Sequence, residues 1–258
     1  MAEYEQTCQL LNEMGLTVAS QALDAQLSDA AKSKDLTYLS FLHQLLMIEA
    51  NARKREEQRA LFNQSKLPSR KTVEEFDFEF QPSIDRKEVK ELETLVFIEQ
   101  AENVIFLGPP GVGKTHLAIA LGIKAIENGK TVFFTSLTNM LGDLKKAKGK
   151  PSSKRWNTYV DASLLIIDEV GYTRIDKDAE ELFFEVICRR YEKGSIILTS
   201  NKHFNEWGEV ISDTTMATAA LDRLLHHVHV MNIRGDSYRL KDYEKQLEHN
   251  VDKSTDVR

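Results

Sequence analysis

Residues 104–121 read VIFLGPPGVGKTHLAIAL. A short apolar run breaks into a turn rich in glycine and proline, and the turn leads into a lysine, a hydroxyl and an apolar helical stretch. Gly108–Thr115 fill every place of the pattern GxxxxGK[ST]. In such a loop glycines let backbone N–H groups turn inward around phosphate oxygens, and the next helix offers its positive N-terminus to the same anion. Lys114 is expected to reach the outer phosphates and the Thr115 hydroxyl to ligate Mg²⁺. The predicted seat for ATP is Gly108, Pro109, Pro110, Gly111, Val112, Gly113, Lys114, Thr115 and His116.

Outward from this loop, the chain from Lys87 alternates short apolar runs with helical stretches. Candidate strands are Val104–Leu107, Thr131–Thr135, Leu164–Asp168, Ser195–Ser200 and Val228–Ile233, with helices such as Thr115–Asn128 and Ala179–Glu192 between them. Strands that are apolar throughout, interleaved with helices, predict an α/β fold whose parallel sheet is covered on both faces.

Three further segments carry chemistry. LLIIDE, residues 164–169, is a buried strand that ends in two carboxylates, which is costly unless a cation waits at its tip. Asp168 fits the Mg²⁺ role and Glu169 is placed to orient or activate an attacking water. SIILTSN, residues 195–201, ends in Asn201, either a turn residue or an amide that holds the water or the γ-phosphate. LDRLLHH, residues 221–227, places Arg223 on an apolar helical stretch. Arg223 is either a salt-bridged surface residue or an arginine finger that completes the ATP site of an adjacent subunit. His226, His227 and His229 read better as packing or surface residues than as metal ligands.

Toward the N-terminus, residues 4 to about 66 read as helical from their leucine spacing, and Asp35 is placed to cap the second run. Residues 67–87, with two prolines and alternating Phe76, Phe78 and Phe80, read as a linker packed partly in extended form on the next domain. The expected organisation is a helical domain over 1–66, the linker, an ATPase domain over 88–245 and a disordered tail over 246–258. The chain carries a net charge of −6 and only Cys8 and Cys188, neither in a CxxC or Cys/His cluster. A disulfide framework and a zinc site are therefore not expected, and a reducing cytoplasm is. No apolar run approaches the ~18–20 residues that span a bilayer, so no membrane is expected as a partner.

The segments GPPGVGKTHLA, LLIIDEVGY, LTSN and ALDRLLHHVHVMNIRGDSYRLKD resemble the IstB-like ATPases. These are transposition helper proteins of bacterial insertion sequences, related to DnaC helicase loaders and DnaA initiators in the AAA+ class. The leader, KLPSRKTVEEFDFEFQPSID and AENVIFLG are similar too, so the resemblance covers nearly the whole chain. It implies an AAA+ core with a five-stranded parallel sheet behind a small all-helical domain, in a homo-oligomer with ATP at its subunit junctions. The oligomer would bind duplex DNA and stimulate a partner transposase. Asn201 would be the first sensor and Arg223 the trans-acting finger. Thirty-five residues follow Arg223, too few for a full helical lid, as is usual in this branch. Arg239 is either a second sensor or a surface residue.

Two basic segments are candidates for DNA contact. One, Arg53–Lys71 at the end of the helical leader, holds Arg53, Lys54, Arg55, Arg59, Lys66, Arg70 and Lys71; the other, LKKAKGKPSSKRW at 144–156, holds Lys145, Lys146, Lys148, Lys150, Lys154 and Arg155. Contacts of this kind recognise phosphates with low sequence specificity and weaken with salt. The alternatives are a DnaC-like loader that binds single-stranded DNA and a helicase, a small-molecule P-loop kinase, and a switch that binds ATP without turnover.

Overall fold

A computed structural model of the chain describes residues 2–33, 35–147, 153–172, 174–209 and 214–241. The chain divides into two compact units, Met1–Ala60 and Leu61–Arg258.

The first unit holds α1 (Ala2–Glu13), α2 (Thr17–Lys32) and most of α3 (Tyr38–Ser65). Ala19, Leu23 and Leu45 form its small core, with Cys8, Leu11, Leu16 and Phe41 against it. A buried carboxylate organises the rest. Glu49 Oε2 accepts from the N–H groups of Val18 and Ala19, each at 2.9 Å, and so satisfies the open start of α2. The Ala19 N–H and the Arg53 guanidinium hold this carboxyl below the usual range. Arg53 also donates to the Gly15 carbonyl at 2.7 Å, which closes the turn between α1 and α2. The cap of α3 is Thr37 rather than Asp35: the Ser40 N–H donates to Thr37 Oγ1 at 3.1 Å. A capping side chain must stand immediately before the first helical residue, and Asp35 is two residues too early.

In the second unit, α4 (Arg86–Leu92) and α5 (Val96–Glu99) precede β1 (Asn103–Leu107). There follow α6 (Lys114–Glu127), β2 (Val132–Ser136), α7 (Leu137–Lys146), α8 (Lys154–Val160), β3 (Leu164–Val170), α9 (Lys177–Arg190) and β4 (Ser195–Ser200). A 3₁₀ turn (Phe204–Glu209), α10 (Thr214–Leu225) and β5 (Val228–Asn232) complete it. The strands pair in parallel in the order β2-β3-β4-β1-β5. Alternation along each strand separates two cores. Val104, Phe106, Leu164 and Ile166 face α6, whereas Ile105, Leu107, Leu165 and Ile167 face α7 and α9. Both faces are thus covered, as a wholly apolar parallel strand requires.

Residues 67–87 belong to the first of these cores through Leu67, Val73, Phe76 and Ile84. They run as successive turns rather than extended chain, because local polar bonds hold them there. The Phe80 N–H donates to Asp77 Oδ1 at 3.0 Å and the Thr72 N–H to Glu75 Oε2 at 3.0 Å. No helix among the described residues is long and apolar enough to cross a membrane.

Asn103 joins three elements at the sheet's rear. Its Nδ2 donates to Leu224 O at 3.1 Å, its Oδ1 accepts from Ile196 N–H at 3.0 Å, and its own N–H donates to His227 O at 2.8 Å. Asn103→Leu orphans a buried carbonyl and a buried N–H, each worth about 1–3 kcal/mol. Urea unfolding of the variant is expected to show a loss of about 2–4 kcal/mol; a loss below about 0.5 kcal/mol contradicts this role.

Candidate active site

The loop between β1 and α6 has the shape its glycines allow. Gly111 and Gly113 stand at φ +86° and +101°, and a Cβ on Gly113 would lie 2.4 Å from the Phe76 ring. Any other residue at 113 would therefore be strained and would also displace Phe76. Lys114 Nζ, at the start of α6, donates to the carbonyls of Gly108 and Pro109, both at 2.7 Å. The ammonium is mostly buried, and burial pushes its pKa down to about 8 against the opposing pull of Asp168; Arg239 lowers it further.

The carboxylates enter from β3. In the strand order β4 lies between β1 and β3, so the tips of β1 and β3 stand about 10 Å apart, two strand spacings. The Thr115 hydroxyl reaches across this gap to Asp168 Oδ1 at 2.9 Å. From the intervening strand, the Thr199 hydroxyl donates to the same carboxylate oxygen and accepts from the Glu169 N–H at 3.1 Å. The pairing of β3 with β4 slips between Ile167 and Val170, and Glu169 takes φ +62°. A non-glycine residue there costs of order 1–3 kcal/mol and turns its side chain out of the strand's alternation. Glu169 is accordingly exposed, in the cleft, while Asp168 stays buried.

That cleft encloses about 560 Å³. The loop forms its floor, Phe76, Asp77 and Gln81 one wall, and Tyr238 and Arg239 another. The chain after β5 is bonded to both neighbours. Tyr238 N–H donates to Gly111 O at 3.0 Å, Gln81 Nε2 to Asp236 O at 2.8 Å, and Lys241 Nζ to Asp77 Oδ2 at 3.0 Å. The donor set fits a nucleoside triphosphate with a hard divalent cation. A glycine loop and a buried ammonium await the phosphates, and a hydroxyl and a carboxylate converge where an oxygen-seeking ion would be held.

The expected residues divide among three places. Pro110–Thr115, His116, Asp168, Glu169 and Arg239 line the cleft, while Gly108 and Pro109 meet Lys114 Nζ through their carbonyls. His116 Nε2 lies 2.8 Å from the Thr72 carbonyl, and burial lowers its pKa. Asn201 does not line the cleft. Its Oδ1 is buried without a hydrogen-bond partner among the described residues and packs at Gly171, where an added Cβ would lie 3.3 Å away. Thr199 is the residue of β4 in the cleft. A buried hydroxyl must find a partner, and a threonine at the end of the apolar run Ile196–Leu198 is that signal in the sequence.

Arg223 faces a separate groove beside Tyr191, Glu192 and His227. It donates to Ala219 O at 2.9 Å with its guanidinium 5.3 Å from the Phe184 ring centre.

Of the basic candidates, Lys54, Arg55 and Arg59 are exposed on α3, and Lys154 and Arg155 on α8. Arg53 is engaged with Glu49 and Gly15. Lys145 pairs with Asp176, and Lys146 with Asp143 at 3.4 Å. Lys148 and Lys150 lie outside the described residues, as do the expected tail over 246–258 and the end of any lid.

Comparison with known proteins bears on this arrangement. The model of the family "IstB-like ATP binding protein" matches residues 9–246. A protein of insertion sequence IS21 from Pseudomonas aeruginosa, described as ATP-binding, is 49% identical over 92% of this chain and 89% of its own. Its counterpart in insertion sequence IS5376 of Geobacillus stearothermophilus is 44% identical over 88% of this chain and 90% of its own. Among solved structures, DnaI superposes with a TM-score of 0.54 at 16% identity, over 64% of this chain and 92% of that one. The replication initiator DnaA bound to AMPPCP and single-stranded DNA gives 0.51 at 22% identity, over 69% and 54%. The likeness to these two is one of fold.

The Lys114 pKa of about 8 sets a pH dependence. Phosphate in contact with this ammonium would favour its charged form and so raise this pKa. Affinity is then full below about pH 8 and falls as pH rises through that value, by at most about tenfold per unit. Calorimetric titration with a non-hydrolysable ATP analogue from about pH 6.5 to 9.5 is expected to show the fall begin near pH 8. A Kd that stays constant across the range contradicts it.

Proposed function

The chain belongs to the family of IstB-like ATP-binding proteins, and from that we propose that it is a Mg²⁺-dependent ATPase that assembles on duplex DNA and prepares it for a partner transposase. One observation carries the ATPase part. Thr115, Asp168, Thr199 and the Glu169 amide form one continuous set of hydrogen bonds at the floor of a glycine-looped cleft.

In this reading Lys114 exchanges its two loop carbonyls for the outer phosphates of ATP. Thr115 and Asp168 would hold Mg²⁺, which supplies charge neutralisation at the β- and γ-phosphates when bound. Glu169 takes a proton from water as the water oxygen bonds to the γ-phosphorus. The bond from phosphorus to the bridging oxygen breaks, giving ADP and phosphate. Arg239 stands in the cleft and acts within its own subunit. Arg223 faces elsewhere, which supports a role across a subunit junction: ATP then favours the assembled state because it binds that state more tightly.

DNA contact is assigned to the exposed Lys54, Arg55, Arg59, Lys154 and Arg155, with Lys145 and Lys146 nearby. Such contacts read phosphates, so little sequence specificity and a steep salt dependence are expected. The two relatives above come from insertion sequences, which favours transposition over helicase loading. A small-molecule kinase needs no arginine from a neighbour.

Glu169→Gln is expected to keep ATP affinity within about threefold and to lose about 10²–10⁴-fold in hydrolysis rate. Turnover at the wild-type rate removes Glu169 from the mechanism. Arg223→Ala is expected to be inactive alone. Mixed with Lys114→Ala subunits, which bind no nucleotide but carry an intact Arg223, it should regain activity. Failure of that mixture, with oligomers of the two variants demonstrably formed, contradicts a trans-acting arginine.

A further inference from the structure

On the surface away from the nucleotide cleft, the end of α9 meets the end of α10. Glu192, just after α9, and His226 and His227, just after α10, each bring one ligand atom to within 4.8 Å of the other two. We propose that these three residues bind a divalent transition-metal ion of the Zn²⁺ or Co²⁺ kind.

The geometry needs little adjustment. Glu192 Oε1 and His226 Nδ1 are 4.0 Å apart, and the two imidazole rings have their centres 4.0 Å apart. Ligand atoms about 2.1 Å from a tetrahedral ion stand about 3.4 Å from one another. All three side chains are exposed, so rotation about their own bonds closes the set.

The backbone beneath them is fixed on both sides. At the end of α9, Arg190 donates to the carbonyls of Tyr159, Val160 and Ser195 at 3.0, 2.8 and 2.7 Å. Two residues on, Glu192 takes φ +57°, which turns its carboxylate back toward α10. At the end of α10, Asn103 holds the carbonyls of Leu224 and His227. The Tyr191 hydroxyl lies 2.8 Å from His226 Nδ1, the same nitrogen that faces Glu192, and gives that nitrogen up when the ion binds. Ligands on pinned backbone are what a preorganised metal site requires.

Two imidazoles and one carboxylate suit Zn²⁺, Co²⁺ or Ni²⁺ and not Mg²⁺, which takes oxygen ligands and holds its waters. Three protein ligands leave at least one position for water. The bound ion clips α9 to α10, the helix that carries Arg223, within the groove that Glu192, His227 and Arg223 share. The site itself does not depend on the ATPase reading.

The test is Co²⁺ titration of the full chain in excess Mg²⁺, which occupies any oxygen-ligand site, with the visible d–d absorption as readout. One Co²⁺ per chain with such a band is expected, and Zn²⁺ should displace it. Glu192→Gln and His226→Ala should each weaken binding tenfold or more, while His229→Ala, whose ring instead pairs with Glu102, should leave it unchanged. Because the ligands are exposed, the metal-free variants should melt at the wild-type temperature, and Zn²⁺ should raise the melting temperature of wild type alone. No band with wild type, or a band that survives in the double variant His226→Ala/His227→Ala, overturns the proposal.

Discussion

The Thr199 hydroxyl is the point on which the site depends. It donates to Asp168 and accepts from the Glu169 amide, so one buried oxygen fixes two adjacent carboxylate residues in opposite orientations. That is possible only because β4 lies between the strand that leads to the phosphate loop and the strand that carries the acids. Were β1 and β3 neighbours, a single strand spacing of about 4.8 Å would separate their tips, with no strand between them to supply the hydroxyl. The left-handed Glu169 and the slip in pairing are the backbone's part of the same arrangement. Surrounding structure must hold such a conformation against its intrinsic cost, and the fully buried β4 does so.

The second constraint is the way three remote segments close on the loop. Phe76 fills the space that glycine leaves at 113, and Ser237 fills it at 111, where an added Cβ would come within 2.0 Å of the hydroxyl. Residues 67–87 and the chain after β5 are bonded to each other, and Tyr238 also to Gly111 of the loop. A change in the loop on nucleotide binding therefore presses directly on segments before and after the sheet. The Lys114 ammonium rests on the loop's own carbonyls and so holds the loop in a defined shape.

Much of this is legible in the sequence because it rests on short-range rules. Strand positions come from apolar runs, and each expected strand lies within a residue or two of its observed ends. Residue type and spacing alone mark the phosphate loop and its lysine, hydroxyl and acids. Less legible are features that depend on tertiary geometry. The Asn201 amide at the end of β4 stands out as the polar residue after an apolar strand, whereas Thr199 reaches the cleft because of strand order and the slip in β3. The helix cap falls to Thr37 because boundaries shift by a residue or two under local competition. Residues 67–87 read as packing, but only the fold shows that their turns form a wall of the nucleotide cleft. The histidines at 226 and 227 have no partner in sequence, since Glu192 comes to them through the packing of α9 against α10.

The proposed function rests on this cleft using ATP to drive assembly on duplex DNA. Fluorescence anisotropy with labelled duplex and single-stranded DNA, each with and without MgATP, tests it most directly. Tight binding to duplex that requires MgATP and weakens steeply with salt is expected. Preference for single strands, or duplex binding that is indifferent to nucleotide, would contradict it.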